Sequence, residues 1–129
     1  MASDSVETIK RLLIVDDVSL CRKYHRRSAA VYFQDFIEAA NGLEAVEAVR
    51  TSITENKPID CIFMDNSMPA MNGTTATTLI RKLGFNGKIY GITGNALKRD
   101  IDDFIAHGVD DVHLKPLAPQ SYEKMLKQM

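Results

Sequence analysis

Short apolar runs recur along the chain at residues 12–15, 36–39, 61–64, 89–92 and 112–114. Each has the length of a buried strand, and the longer segments between them carry apolar residues at helical spacing. The pattern predicts helices near residues 18–32, 42–53, 73–83 and 95–107, with a last one near 119–128. Ala76, Leu79, Ile80 and Leu83 repeat at three and four residues, as do Leu97, Ile101, Phe104 and Ile105. Each set predicts one buried stripe.

Turn residues fall between these elements. Asn41-Gly42 breaks the chain after the second run, Asn72-Gly73 precedes the third helix, Gly108 suits the end of the fourth, and Pro119 suits the first turn of the last. Thr74, Thr75, Thr77 and Thr78 are poor helix formers, so the third helix rests on its apolar stripe. Strands alternating with helices imply an α/β fold, a doubly wound (βα)5 unit with five parallel strands. Such sheets bind ligands beyond the carboxyl ends of their strands.

With 129 residues there is room for one domain, taken as residues 10–129 behind a flexible leader at 1–9. The first ten residues lack an apolar stretch and do not read as a signal peptide. Sixteen basic and 17 acidic residues leave a net charge of -1, so no electrostatic excess draws the chain to nucleic acid or anionic lipid. The longest apolar run, residues 29–33, is far short of the roughly 20 residues that span a bilayer. Cys21 and Cys61 read as reduced packing residues in a cytoplasmic setting.

The predicted strand ends carry the chemistry. The first is followed by Asp16 and Asp17, the third by Asp65, the fourth by Thr93 and the fifth by Lys115 and Pro116. Any one of these is unremarkable by itself. Together they put three carboxylates, a hydroxyl and an ammonium on one edge of the sheet. Clustered carboxylates repel one another unless they bind protons or a cation, and a hard, oxygen-preferring ion such as Mg2+ fits that donor set. Mg2+ typically uses one or two carboxylates, which leaves Asp65 free as a nucleophile, with Lys115 and Thr93 placed to meet a phosphoryl group.

The stretches LLIVDD, FMDNSMPAMNG, GITGNA and HLKP stand in this order, joined by AANGLEAVE at residues 39–47 and HGVDD at 107–111. From about residue 11 onward the sequence resembles the receiver domain of response regulators and hybrid histidine kinases. The resemblance implies a flavodoxin-like fold and a Mg2+-dependent switch with Asp65 as phosphoacceptor. It implies that Asp17 binds the metal directly, that Asp65 and the Ser67 backbone carbonyl belong to the same metal set and that Asp16 assists through water. Lys115 would pair with phosphoryl oxygens, Pro116 would follow a cis peptide bond, and Thr93 would turn inward and drag its loop. The implied donor is a histidine kinase or a histidine phosphotransfer protein, and the downstream partner is unknown.

Two positions depart from the family pattern. Val112 stands where an aromatic switch residue is usual, with His113 pointing to the opposite face of the strand. VDDVSLCRK resembles hybrid-kinase receivers but has Cys21 in place of asparagine. The chain ends just after its fifth helix, so it is expected to be either a piece trimmed from a larger protein or a receiver that acts alone through partners. His25, within RKYHRR, reads as part of a solvated basic face, and His107 as a helix-end residue favoured by the dipole. Ser67 and Asn95, two residues beyond Asp65 and Thr93, line the approach to the site.

Other readings fare less well. A phosphatase using an Asp nucleophile needs a second Asp where Ser67 stands, so turnover as an enzyme is not expected. A flavin carrier needs a Ser/Thr/Gly-rich loop where DDVSL stands. The remaining alternative is a receiver-like interaction module that signals without phosphorylation.

Overall fold

The computed structural model describes residues 10–127; the proposed leader, residues 1–9, lies outside them. Five strands, β1 (Arg11–Val15), β2 (Asp35–Ala39), β3 (Cys61–Asp65), β4 (Lys88–Thr93) and β5 (Asp111–Leu114), form one parallel sheet in the order β2-β1-β3-β4-β5. Every predicted strand is present within one residue at either end. Five helices alternate with them: α1 (Ser19–Ala29), α2 (Gly42–Thr54), α3 (Gly73–Lys82), α4 (Lys98–Ala106) and α5 (Pro119–Leu126).

Alternate side chains of each strand feed different layers, as the two-residue period of a strand requires. Leu13, Val15, Ile62, Met64 and Ile89 pack with Val49, Ala76, Ile80 and Phe104 of α2, α3 and α4. Leu12, Ile14, Phe63, Tyr90 and Ile92 pack with Ala29, Tyr122 and Met125 of α1 and α5. The central strands β1 and β3 face a helical layer on both sides, which is why their sequences are apolar from Leu12 to Val15 and from Cys61 to Met64. The chain moves outward in one direction from β1 to β2 and in the other from β3 to β5. Its reversal point therefore lies between β1 and β3, where an open α/β sheet leaves a crevice.

The helix boundaries show where local chemistry overrides periodicity. Helix α1 stops at Ala29, three residues short of the expected end, because the chain turns to bury Phe33. The Tyr32 and Phe33 N–H groups both donate to the Ala29 carbonyl, and Val31 is left in solvent. Helix α3 survives its threonines through capping. Asn72 Oδ1 accepts from Thr75 N at 2.9 Å, and Ala76 and Ile80 are buried.

Helix α4 begins at Lys98 rather than near residue 95, because the Asn95 side chain accepts the Leu97 N–H and holds Leu97 extended. Its expected stripe is also corrected. Phe104 is buried and Ile101 half-buried, but Leu97 and Ile105 are 54% and 44% exposed. The Phe104 ring sits directly over Gly91, whose missing Cβ leaves it room, so one aromatic side chain anchors this short helix.

His25 corrects a second expectation. Lys23, Arg26 and Arg27 face solvent, but His25 is buried, its Nδ1 2.6 Å from the Tyr122 hydroxyl and its ring edge-on to Phe63. Burial lowers its pKa from 6.5 to about 4, the charge of Asp16 opposing only in part. The unfolded chain therefore binds a proton that the native state refuses, and stability is lost as pH falls from about 6.5 toward 4. Urea unfolding at about pH 7.5 and 4.5 should show this one group costing roughly 2–3 kcal/mol at the lower pH, a cost absent from His25→Gln. Equal pH slopes in both proteins would contradict the assignment.

Candidate functional site

The carboxyl ends of β1, β3, β4 and β5 open onto one cleft of about 860 Å³, lined among others by Asp17, Asp65, Ser67, Thr93, Asn95, Asp100 and Lys115. The register explains the gathering. Val15 pairs with Met64, so Asp16 and Asp65 continue adjacent strands at the reversal point. The Lys115 N–H donates to the Thr93 carbonyl at 2.8 Å, tying the fifth strand end to the fourth. The peptide bond between Lys115 and Pro116 is cis.

Asp16 is 1% exposed and fixed from several sides. Its Oδ1 accepts from Val18 N at 2.9 Å, its backbone carbonyl from Arg22 Nη1 at 2.7 Å, and its Oδ2 from Lys115 Nζ at 3.0 Å. Lys115 Nζ also lies 3.3 Å from Asp65 Oδ1. Asp65 is 5% exposed, and Asp17 is exposed beside it. One carboxylate oxygen from each of Asp16, Asp17 and Asp65 lies within 4.8 Å of the others. Three carboxylates against one ammonium leave two negative charges uncompensated when all are ionised.

The electrostatics follow from this crowding. Burial pushes the Asp65 carboxyl up to about 6; Lys115 opposes the rise and Asp16 reinforces it. Burial alone would lower the Lys115 ammonium, but its contacts with Asp16 and Asp65 raise it on balance and keep it charged.

The loop from β3 to α3 is built to hold Asp65 in place. Asn66 N donates to Asp65 Oδ1 at 3.0 Å, Gly73 N to the Asn66 carbonyl at 2.9 Å, and Thr74 N to Asn66 Oδ1 at 3.2 Å. A Cβ on Gly73 would lie 2.1 Å from the Asp65 carbonyl oxygen, so only glycine allows α3 to start so close to β3. The same loop docks on α2: Gly42 N donates to the Met71 carbonyl at 3.1 Å, and a Cβ on Gly42 would meet that oxygen at 2.5 Å.

Of the strand-end residues expected from the sequence, Asp17, Asp65, Thr93 and Lys115 thus line one cleft, the buried Asp16 joins them through Lys115 Nζ, and Pro116 lines a separate hollow beside α1. Val112 is half-buried against the α2–α4 layer, whereas His113 turns to the other face, its ring 5.8 Å from Tyr90, as the strand period requires. Sequence reasoning missed Asn66 and Asp100. The neighbours of Asn66 are local, and DNS reads as an ordinary turn. Asp100 reads as a first-turn acid suited to the helix dipole, and only the later start of α4 aims it at the cleft.

Comparison with known proteins adds three findings. The sequence model of the response regulator receiver domain matches residues 12–127. The chain is 38% identical over 120 residues to two-component system protein A of Emericella nidulans, covering 88% of this chain and 16% of that protein. It is 37% identical over 112 residues to the two-component response regulator ORR41 of Oryza sativa subsp. japonica, covering 85% and 86%. The chain therefore spans a small part of the first relative and most of the second. Among solved structures, it resembles the receiver domain of the histidine kinase CKI1 from Arabidopsis thaliana complexed with Mg2+. That likeness has a TM-score of 0.82 at 28% identity and covers 92% of this chain and 90% of that one.

Proposed function

The chain belongs to the response regulator receiver family, and on that premise we propose that Asp65 accepts a phosphoryl group from a phosphohistidine donor in a Mg2+-dependent reaction. The observation that supports this most strongly is the position of Lys115, whose ammonium bridges a buried Asp16 and a buried Asp65 beneath an open cleft. An interaction module that dispensed with phosphorylation would have no use for two buried carboxylates and an ammonium held in this way.

The donor set suits Mg2+, being all oxygen, with more negative charge than Lys115 balances. Asp17 and Asp65 would hold the ion directly with the Ser67 backbone carbonyl, and Asp16 through water. When bound, Mg2+ neutralises charge on the transferring phosphoryl oxygens. The remaining steps belong to the chain. An Asp65 carboxylate oxygen attacks phosphorus as the bond from phosphorus to the donor imidazole nitrogen breaks. Lys115 leaves Asp16 enough to reach the new phosphoryl oxygens, and Thr93 offers them its hydroxyl proton. A hydrogen bond to a charged group is worth on the order of 1.5–3 kcal/mol, which shifts a two-state equilibrium by roughly 10- to 100-fold.

The proposed donor is a histidine kinase or a histidine phosphotransfer protein, met in the cytoplasm. Val18, just before α1, and Leu20 and Tyr24 within it form an exposed apolar patch beside Lys115 and Pro116, a landing surface for it on the rim of the site. Likeness to the receiver of a histidine kinase supports a phosphorelay setting. With Ser67 where a hydrolase would need an acid, the chain acts as a stoichiometric acceptor. Among the described residues no helix is long and apolar enough to cross a membrane.

The test offers a small acyl phosphate with Mg2+ and follows intact mass. One phosphoryl group per chain is expected, and none once the metal is chelated. Labelling that is unaffected by chelation would refute the Mg2+-dependent reading.

A further inference from the structure

Val112 lacks a ring that could swing between exposed and buried positions, so the state of Thr93 needs another way out of the site. A chain of hydrogen bonds leads from it. The Thr93 hydroxyl oxygen accepts from the Asn95 backbone N–H at 3.1 Å. The Asn95 side chain in turn accepts from Leu97 N at 2.9 Å through Oδ1 and donates through Nδ2 to Asp100 Oδ2 at 2.7 Å. These contacts join the end of β4 to the N-cap and first turn of α4.

Helix α4 is held unevenly. Its C-terminal half is anchored by Phe104, 1% exposed and seated on Gly91. The loop after it is tied to α3, where Arg81 Nε donates to the Gly108 carbonyl at 2.9 Å and Arg81 Nη2 to Asp110 Oδ2 at 3.0 Å. Residues 94–99 are exposed. The helix is therefore pinned toward its C-terminal end and loose at the end that Asn95 grips.

A hydroxyl can donate to a phosphoryl oxygen while still accepting from Asn95 N, so an inward turn of Thr93 pulls Asn95 with it. Both ends of the Asn95 amide are engaged, and the bond to Asp100 is charge-assisted, so the displacement passes into the helix. We propose that Asp100, acting through Asn95, is a positioning residue that transmits the phosphorylation state of the site to the first turn of α4, in place of an aromatic switch at residue 112. The inference rests on Asp65 being the acceptor.

The test uses the full chain, isotope-labelled, as wild type, Asp100→Ala and Asp100→Asn. Each is treated with a small acyl phosphate and Mg2+, and the labelled fraction of every sample is read by intact mass. The readout is the amide NMR shift of residues 97–101 per labelled molecule. Wild type should show a first-turn response, Asp100→Ala should reduce it roughly threefold or more, and Asp100→Asn should retain most of it, because its amide oxygen can still accept from Asn95. The amide of Thr93 should respond to labelling in all three proteins. An undiminished first-turn response in Asp100→Ala would overturn the proposal, as would equal losses in both variants or a wild-type response confined to β5. Failure of wild type to label at all would instead overturn the phosphoacceptor reading, and this inference with it.

Discussion

Replacing Asp65 by Asn is expected to abolish phosphoryl incorporation and, in the absence of metal, to make the protein harder to unfold. Burial raises the Asp65 carboxyl from 3.8 to about 6, so the native state favours its protonated form more than the unfolded chain does. The stability this group contributes is complete below about pH 3.8 and lost as pH rises through about 6. At neutral pH the ionised carboxylate costs up to about 3 kcal/mol, and the neutral amide removes that cost. Lys115 keeps its partner, because Asp16 Oδ2 remains 3.0 Å away. Adding Mg2+ should narrow the gap, since an ion that binds only the native wild type stabilises it by mass action. Urea unfolding of both proteins, with chelator and with Mg2+, gives the comparison. A less stable Asp65→Asn in chelator would show that the carboxylate is not the strained group described above.

Gly73→Ala is expected to be among the most damaging single-methyl substitutions in the protein. The new Cβ would lie 2.1 Å from the Asp65 carbonyl oxygen and 2.9 Å from Asn66 Cα, both of them backbone atoms with no rotamer to change. Relief requires α3 to back away from β3, which stretches the Gly73 N–H bond to the Asn66 carbonyl and loosens the loop that fixes Asp65. A loss of about 3 kcal/mol or more is expected, the upper range for overpacking. Gly94 supplies the contrast. It has open space at the Cβ position and no left-handed backbone, so Gly94→Ala should change stability by less than about 1 kcal/mol. Denaturant midpoints of the two variants decide the point, and similar midpoints would contradict it.

Most of the site could be read in the sequence because a parallel sheet sends its chemistry to its strand ends. Asp16, Asp17, Asp65, Thr93 and Lys115 each follow or close an apolar run, so the runs alone placed them on one edge. Side-chain hydrogen bonds that compete with the helical pattern were harder to see. Asn95 captures the Leu97 N–H and delays α4, a choice made by one amide rather than by any apolar period. His25 sits among arginines and lysine, and its burial becomes visible only when Tyr122, 97 residues away, supplies the polar partner that makes it affordable. Periodicity likewise overstated the burial of α4, because Gly91 lets Phe104 approach the sheet closely and the flanking Leu97 and Ile105 remain in solvent.

The central claim is that the phosphoryl group resides on the Asp65 carboxylate. An acyl phosphate is reduced by borohydride to an alcohol, so an aspartyl phosphate is converted to homoserine where it stands. Treating the labelled protein with borohydride and sequencing its peptides by mass spectrometry therefore marks the acceptor directly. Homoserine at residue 65, dependent on Mg2+, is the predicted result. Homoserine at residue 16 or 17 with residue 65 intact would contradict it.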